Sequence, residues 1–240
     1  MNEQNNRQLR LSRQAELVAD PEGLTMLIIG VGGIGSNAAH VAMSVGFEEL
    51  TIMDPDVVME ENLYPGFFSH GDQGRPKVEA LYDRLYDVFG NTIDVEPIVG
   101  SFPDHDEFPT FDIVLICTDT LESRREAWRH GRELCRGVWI DARMGGTLST
   151  VYAIDREDQD AMRDYDMELR EGREGELPCG QKATAPLTKG FINGMIGKVL
   201  IDIANGDKPL HMQRYDLAFG DMIRQELPPA REVNDAETPE

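Results

Sequence analysis

The chain is poor in cysteine, in basic side chains and in long apolar runs, and each shortage removes a class of protein. Three cysteines occur in 240 residues. Cys117, Cys135 and Cys179 are too widely spaced, and odd in number, for a disulfide framework or for paired C-x-x-C zinc motifs. No structural zinc is expected, and a reducing, cytoplasmic compartment is. Lys and Arg total 23 against 44 Asp and Glu, a formal net charge of -21. Such a surface repels phosphate backbones and anionic membranes, so neither nucleic acid nor membrane is an expected partner. No apolar run approaches the roughly 20 residues that span a bilayer, and the polar N-terminal stretch offers no export signal. The five histidines show no metal-ligand spacing, no serine nucleophile motif is present, and the chain has no internal repeat.

What is present is an ordinary globular balance, 40% hydrophobic and 28% charged, enough to bury one main core. Residues 24–30 (LTMLIIG) read as a buried strand ending in glycine, and Ile34, Ala38, Val41, Ala42 and Val45 recur at helical spacing before Gly46. A second strand at residues 50–53 ends on Asp54, and a helix carrying Val78, Leu81, Leu85 and Val88 follows. Residues 93–98, 112–117, 137–141 and 148–154 read as further strands, with a helix over 121–134 between the middle two. This rhythm predicts an α/β fold, Rossmann-like and doubly wound, with a mainly parallel sheet and helices on both faces. The stretch at about 156–182 is strongly polar and reads as a mobile crossover. Beyond it, Ile192, Met195, Ile196, Val199, Leu200 and Ile203 mark a last core helix, with Gly190, Gly194 and Gly197 allowing close approach. Residues 226–240 lack any period and read as a disordered acidic tail.

Between the first strand and the first helix stands Gly30-Val31-Gly32-Gly33-Ile34-Gly35, a G-x-G-x-x-G match in the strand-turn-helix context that gives the motif weight. Glycines there let backbone amides and a helix N-terminus approach an anionic phosphate. Asp54, about twenty residues on, is placed to accept hydrogen bonds from ribose hydroxyls. The same loop serves NAD, FAD or ATP, and its glycines can also serve helix-strand packing alone.

The order of motifs resembles the ThiF/MoeB and ubiquitin-activating-enzyme superfamily. Arg10-Leu11-Ser12-Arg13-Gln14 is similar to its RxxRQ element, followed by the double glycine Gly32-Gly33, by Asp54-Pro55-Asp56 and by Glu61-Asn62-Leu63. Gly74-Arg75-Pro76-Lys77 stands at the G-x-P-K position, and Cys117-Thr118-Asp119 at the C-T-D step. The resemblance implies a ThiF-like adenylyltransferase domain over residues 23–225, preceded by a helical arm at 1–22. It implies ATP and magnesium as cofactors: Gly30, Gly32, Gly33 and Gly35 at the phosphates, Asp54 at the ribose, Asn62 and Lys77 as phosphate contacts, and Asp56 and Arg75 as further nucleotide-site residues. Asp119 would be the magnesium ligand, its alternative role being a helix N-cap. Arg13 would reach the ATP site of a second subunit, which implies a homodimer; apart from the resemblance it reads as a solvated arginine on a short N-terminal helix. The implied reaction is attack of a carboxylate, the C-terminal glycine of a ubiquitin-like or sulfur-carrier protein or a small carboxylate, on the α-phosphorus of ATP. Pyrophosphate leaves.

Two positions depart from the family pattern. Pro65 stands where relatives carry a phosphate-contacting arginine, and Thr120 replaces the asparagine of T-D-N. Arg75 reads equally well as a replacement cation and as a surface arginine opening a helix. Cys179, beside Lys182, stands where some members present a thiol for thioester or persulfide chemistry, and an incidental loop cysteine is the other reading. Cys117 and Cys135 read as packing residues, and Arg124, Arg125, Arg129 and Arg132 as a solvated helix face. An impaired nucleotide-binding scaffold and an NAD- or FAD-dependent oxidoreductase are the competing functions.

Overall fold

Strand side chains alternate between the two faces of a sheet, so each run of buried apolar residues must serve two cores. The computed structural model describes residues 3–102, 108–172 and 186–225. In β1 (Thr25–Ile29), Met26 and Ile28 join one hydrophobic cluster, and Leu27 and Ile29 the other. In β4 (Phe111–Ile116), Ile113 and Leu115 face the first cluster, and Val114 and Ile116 the second. Residues of α2 (Gly35–Val45), α3 (Lys77–Phe89) and α6 (Pro186–Ala204) complete the first layer. The second is covered by α4 (Leu121–Gly131) and α5 (Gln159–Glu171).

The eight described strands form one sheet in the order β3-β2-β1-β4-β5-β6-β7-β8. The half from β3 (Asp94–Val99) through β2 (Glu49–Asp54), β1 and β4 to β5 (Cys135–Gly145) is parallel. From β5 onward, β6 (Leu148–Asp155), β7 (Met212–Asp216) and β8 (Asp221–Gln225) are antiparallel. β5 and β6 meet in a tight turn with Gly145 opposite Leu148, where Gly146 takes a φ of 59° that favours glycine. The chain leaves β1 toward β2 on one side and reaches β4 on the other. That reversal opens a crevice at the strands' carboxyl ends.

Three readings of the sequence change. The segment after Asp155 is not a structureless crossover throughout, because α5 occupies residues 159–171 and buries Ala161, Tyr165 and Leu169. These sit four residues apart, a one-sided stripe that the surrounding charge conceals. Strands β7 and β8 carry too many polar residues to have signalled themselves. Nor is the arginine face of α4 wholly solvated, since Arg124 is 1% exposed and Arg125 donates to the Leu169 carbonyl at 2.7 Å. The last helix is a core helix as expected: Ile192, Met195, Ile196, Val199 and Leu200 are buried. Residues 226–240 and Cys179 lie outside the described residues.

Arg124 belongs to a charge network buried under α4 and α5. Asp141 on β5, fully buried, is ion-paired to Arg124 and to Arg143, the latter at 2.7 Å. It also accepts the Tyr165 hydroxyl at 2.8 Å. Arg143 continues to Glu168 at 3.0 Å and lies 4.8 Å over the Tyr152 ring. Burial opposes the Asp141 charge, yet the two guanidiniums overcome it and hold the carboxyl below its ordinary value of 3.8. A depressed carboxylate contributes stability that is complete above that value and is lost as pH falls through the lower folded one.

Asp141→Ala leaves two buried guanidiniums facing one another and should cost about 3–5 kcal/mol at neutral pH. Urea unfolding of both proteins across pH 2–7 checks this, with a gap that narrows below the ordinary carboxylate value. A gap independent of pH would contradict the assignment.

Candidate functional site

At the crevice the ends of four parallel strands and three helices enclose a pocket of about 610 Å³, inside the range of about 300–1,000 Å³ that small-ligand sites occupy. Gly30, Gly32 and Gly33 form one wall, Asp54, Asp56, Asn62 and Lys77 a second, and Thr118 and Asp119 a third. Residues 50 positions or more apart in sequence thus converge as the motif order implies.

The glycines divide by task. A side chain at Gly35 would stand 1.9 Å from the Gly30 carbonyl oxygen, so this glycine lets α2 pack under the loop. Gly30 has a φ of 88°, with the Cys117 and Thr118 backbone 3.1 Å from any added Cβ. At Gly32, by contrast, nothing lies within 4 Å of an added Cβ. That open face borders the pocket, as a cradle for an anion requires.

Asp54 ends β2 and is 5% exposed. One carboxylate oxygen accepts the Val31 amide at 2.8 Å and the other the Asp56 amide at 2.9 Å. Burial pushes its pKa up, against the Lys77 ammonium and the two amides, which pull it down. Lys77 opens α3; its Nζ donates to Asp56 at 2.8 Å and lies 3.6 Å from Asp54. The loop before it is clasped by Val58 N-H to Arg75 O at 2.8 Å and Lys77 N-H to Asp56 O at 2.9 Å. Asn62 commits its side-chain oxygen to the Met59 amide at 2.9 Å, so an anion in the pocket would meet its NH2 end.

The helix cap at the head of α4 is supplied by Thr120, whose hydroxyl accepts the Ser123 amide at 3.1 Å. Asp119 is therefore not the capping residue, and threonine replaces asparagine with the cap retained. Arg124 reaches back from α4 to the Thr118 carbonyl and so holds the turn that carries Asp119. Among the described residues no group of three or more His, Cys, Asp or Glu is arranged to hold a metal. Asp119 is exposed at the pocket wall, and its carboxylate is an oxygen donor of the kind magnesium takes.

Arg75 and Gly35 stand outside this pocket, and Arg13, expected at a second subunit's site, is also remote from it. Arg75 pairs with Asp83 at 2.7 Å and Asp72 at 3.7 Å and does not line the pocket. It stands just before α3 with Asp83 of that helix as its carboxylate partner, so the surface reading is the one met. Gly35 lies beneath the loop, not in the pocket wall. Arg13 is exposed on the segment after α1 (Glu3–Leu11), where the next residue, Gln14, donates to Val45 O at 2.7 Å. That is the far end of α2, about 16 Å from the glycine loop at 1.5 Å per residue. Cys117 and Cys135 are buried as expected, and burial pushes the Cys135 thiol up to about 12. The pocket also contains Ser101, Phe102, Arg124 and Met144, which motif reading missed. Ser101 and Phe102 follow the carboxyl end of β3, a position that topology would have singled out had the strand order been known.

The family model described as the ThiF family matches residues 6–237, most of the chain. The chain belongs to the ThiF family. Its curated relatives include the molybdopterin-synthase adenylyltransferase of Haemophilus influenzae, 35% identical over 106 residues, 42% of this chain and 43% of that protein. Ubiquitin-like modifier-activating enzyme 5 of Caenorhabditis elegans is 31% identical over 114 residues, 42% of this chain and 27% of that one. The matched stretch therefore spans less than half of either relative. In fold, this ThiF member is similar to E. coli MccB solved with ATP, with a TM-score of 0.65 and 17% identity, over 85% of this chain and 64% of that one.

The two glycine environments separate folding from binding. Gly35→Ala should lower the melting temperature by several degrees, since a backbone oxygen occupies the space of the new methyl. Gly32→Ala should melt with the wild type while weakening nucleotide binding. Differential scanning calorimetry with a nucleotide titration checks both, and equal behaviour of the two variants would refute the division.

Proposed function

We propose that the pocket binds ATP with magnesium and that the protein adenylates a carboxylate. The observation that carries this reading is the meeting of the open glycine cradle, Asp54, Asn62, Lys77 and Asp119 in one crevice. Hydride transfer to a dinucleotide gives no reason for a lysine, a carboxamide and a second carboxylate around the phosphate end. Family membership and the adenylyltransferase relatives support the same choice.

In this reading Asp54 and Asp56 face the ribose, the loop amides and the Asn62 NH2 group face the phosphates, and Lys77 sets its charge against the pentavalent transition state. Phe102 offers an aromatic wall to the base. Asp119 would hold magnesium, which would draw charge from the phosphates. A carboxylate oxygen attacks the α-phosphorus, the bond to the bridging oxygen breaks, and pyrophosphate departs with that electron pair. Positioning and charge carry the barrier, so the protein needs no covalent intermediate of its own at this step. The acceptor is the C-terminal glycine of a ubiquitin-like or sulfur-carrier protein, or a small carboxylate. The R-x-x-R-Q element that carries Arg13 supports a homodimer in which it serves the neighbouring subunit's site.

Pyrophosphate release that depends on an added carboxylate partner tests the reaction. Lys77→Ala should lower it by about 100-fold. Release of orthophosphate in place of pyrophosphate would refute adenylation. Mixing Arg13→Ala with Lys77→Ala subunits should restore about a quarter of wild-type activity if Arg13 acts across the dimer, because one site in each mixed dimer is intact. No restoration would confine Arg13 to its own subunit's site, and full activity of Arg13→Ala alone would place it outside any site.

A further inference from the structure

The pocket lining is short of available positive charge. Asp54, Asp56 and Asp119 stand against Lys77 and Arg124, and both cations are already engaged, Lys77 by Asp56 and Asp54 and Arg124 by Asp141. A bound triphosphate adds several more negative charges to this lining. One magnesium offsets two of them. Arg75 is committed to Asp83 and Asp72 outside the pocket, and position 65 is proline.

A cation is held beside Pro65, the neighbour of Gly33, from an element that the glycine-loop motifs do not include. Lys189 lies in the first turn of α6, and its Nζ donates to the Tyr64 carbonyl at 3.1 Å. A neutral carbonyl is a weak partner for an ammonium, which would exchange it for a phosphate oxygen with gain. The path from that point into the pocket is short. Tyr64 precedes Pro65, whose Cβ lies 3.0 Å from a Cβ built on Gly33, a pocket residue. Asn37 holds the Pro65 carbonyl at 2.8 Å, so this strap is fixed on the head of α2.

The base of Lys189 is equally well held. Its neighbour Thr188 is fully buried, donating to the Gly146 carbonyl at 3.0 Å and accepting from Ser149 at 3.2 Å. These bonds dock the first turn of α6 on the β5-β6 turn, two residues beyond Met144 of the pocket wall. A rigid base, a flexible four-carbon stem and an ammonium beside the glycine loop are what a phosphate-seeking lysine requires.

We propose that Lys189 binds the β- and γ-phosphates of the nucleotide, replacing from α6 the cation that position 65 lacks. This rests on the ATP reading above. The lysine turns from Tyr64 to the phosphates when nucleotide enters and returns when pyrophosphate leaves. It acts on the triphosphate tail and not on the adenosine or the α-phosphate.

The test is calorimetric titration of wild type, Lys189→Ala and Lys189→Arg with magnesium-ATP and, separately, with AMP. Lys189→Ala should lose roughly tenfold in ATP affinity, the size of one charge-assisted contact. Its AMP affinity and its unliganded melting temperature should match the wild type, and Lys189→Arg should recover most of the ATP affinity. Unchanged ATP affinity in Lys189→Ala, or equal losses for ATP and AMP, would overturn the proposal while leaving the ATP reading standing. A wild type that takes neither nucleotide would remove that reading, and this inference with it.

Discussion

Everything at the pocket hangs on the carboxylate of Asp54. Taking an ionised carboxylate out of water costs several kcal/mol unless its lone pairs are met. Here the Val31 and Asp56 amides meet them, from two different loops, with the Lys77 ammonium 3.6 Å away. The glycine loop after β1, the end of β2 and the head of α3 are therefore tied to one side chain. The spacing between the glycines and Asp54 is the sequence trace of that tie. It leaves the open face of Gly32 pointing at a cavity already bordered by polar groups.

The second fixed point lies on the other face of the sheet. Asp141 and its two arginines hold the Thr118 carbonyl through Arg124, so the turn bearing Asp119 is braced from within the core. A buried ion network of this kind contributes little net stability compared with a well-packed apolar core. Its consequence here is position: the candidate magnesium ligand is exposed, while the residue that sets its place has almost no contact with water.

The parallel half of the fold was legible because its strands are short apolar runs ending at glycine or aspartate, and because the motifs recur in family order. Gly30, Gly32, Gly33, Asp54, Asp56, Asn62, Lys77 and Asp119 all reach the pocket for that reason. The antiparallel half was only partly legible. β7 and β8 carry arginines, glutamines and aspartates in place of an apolar run, and α5 hides three buried residues among charges. Arg75 had two open readings and took the surface one, while Arg124, read as part of a solvated face, is buried at the pocket. Sequence shows that an arginine is present, while the choice of carboxylate partner is a matter of three-dimensional distance. Lys189 carries no motif at all, and only the docking of α6 beside Tyr64 and Pro65 brings it into view.

The central claim is that this crevice is an ATP site and not a dinucleotide site. A ligand that binds only the folded state raises the melting temperature by mass action, and this holds before any acceptor partner is known. The decisive measurement is the melting temperature of the wild-type protein with magnesium-ATP, with ATP and a chelator, and with NAD. The account predicts a rise with magnesium-ATP, a smaller one when magnesium is withheld, and none with NAD. A rise with NAD alone would contradict it.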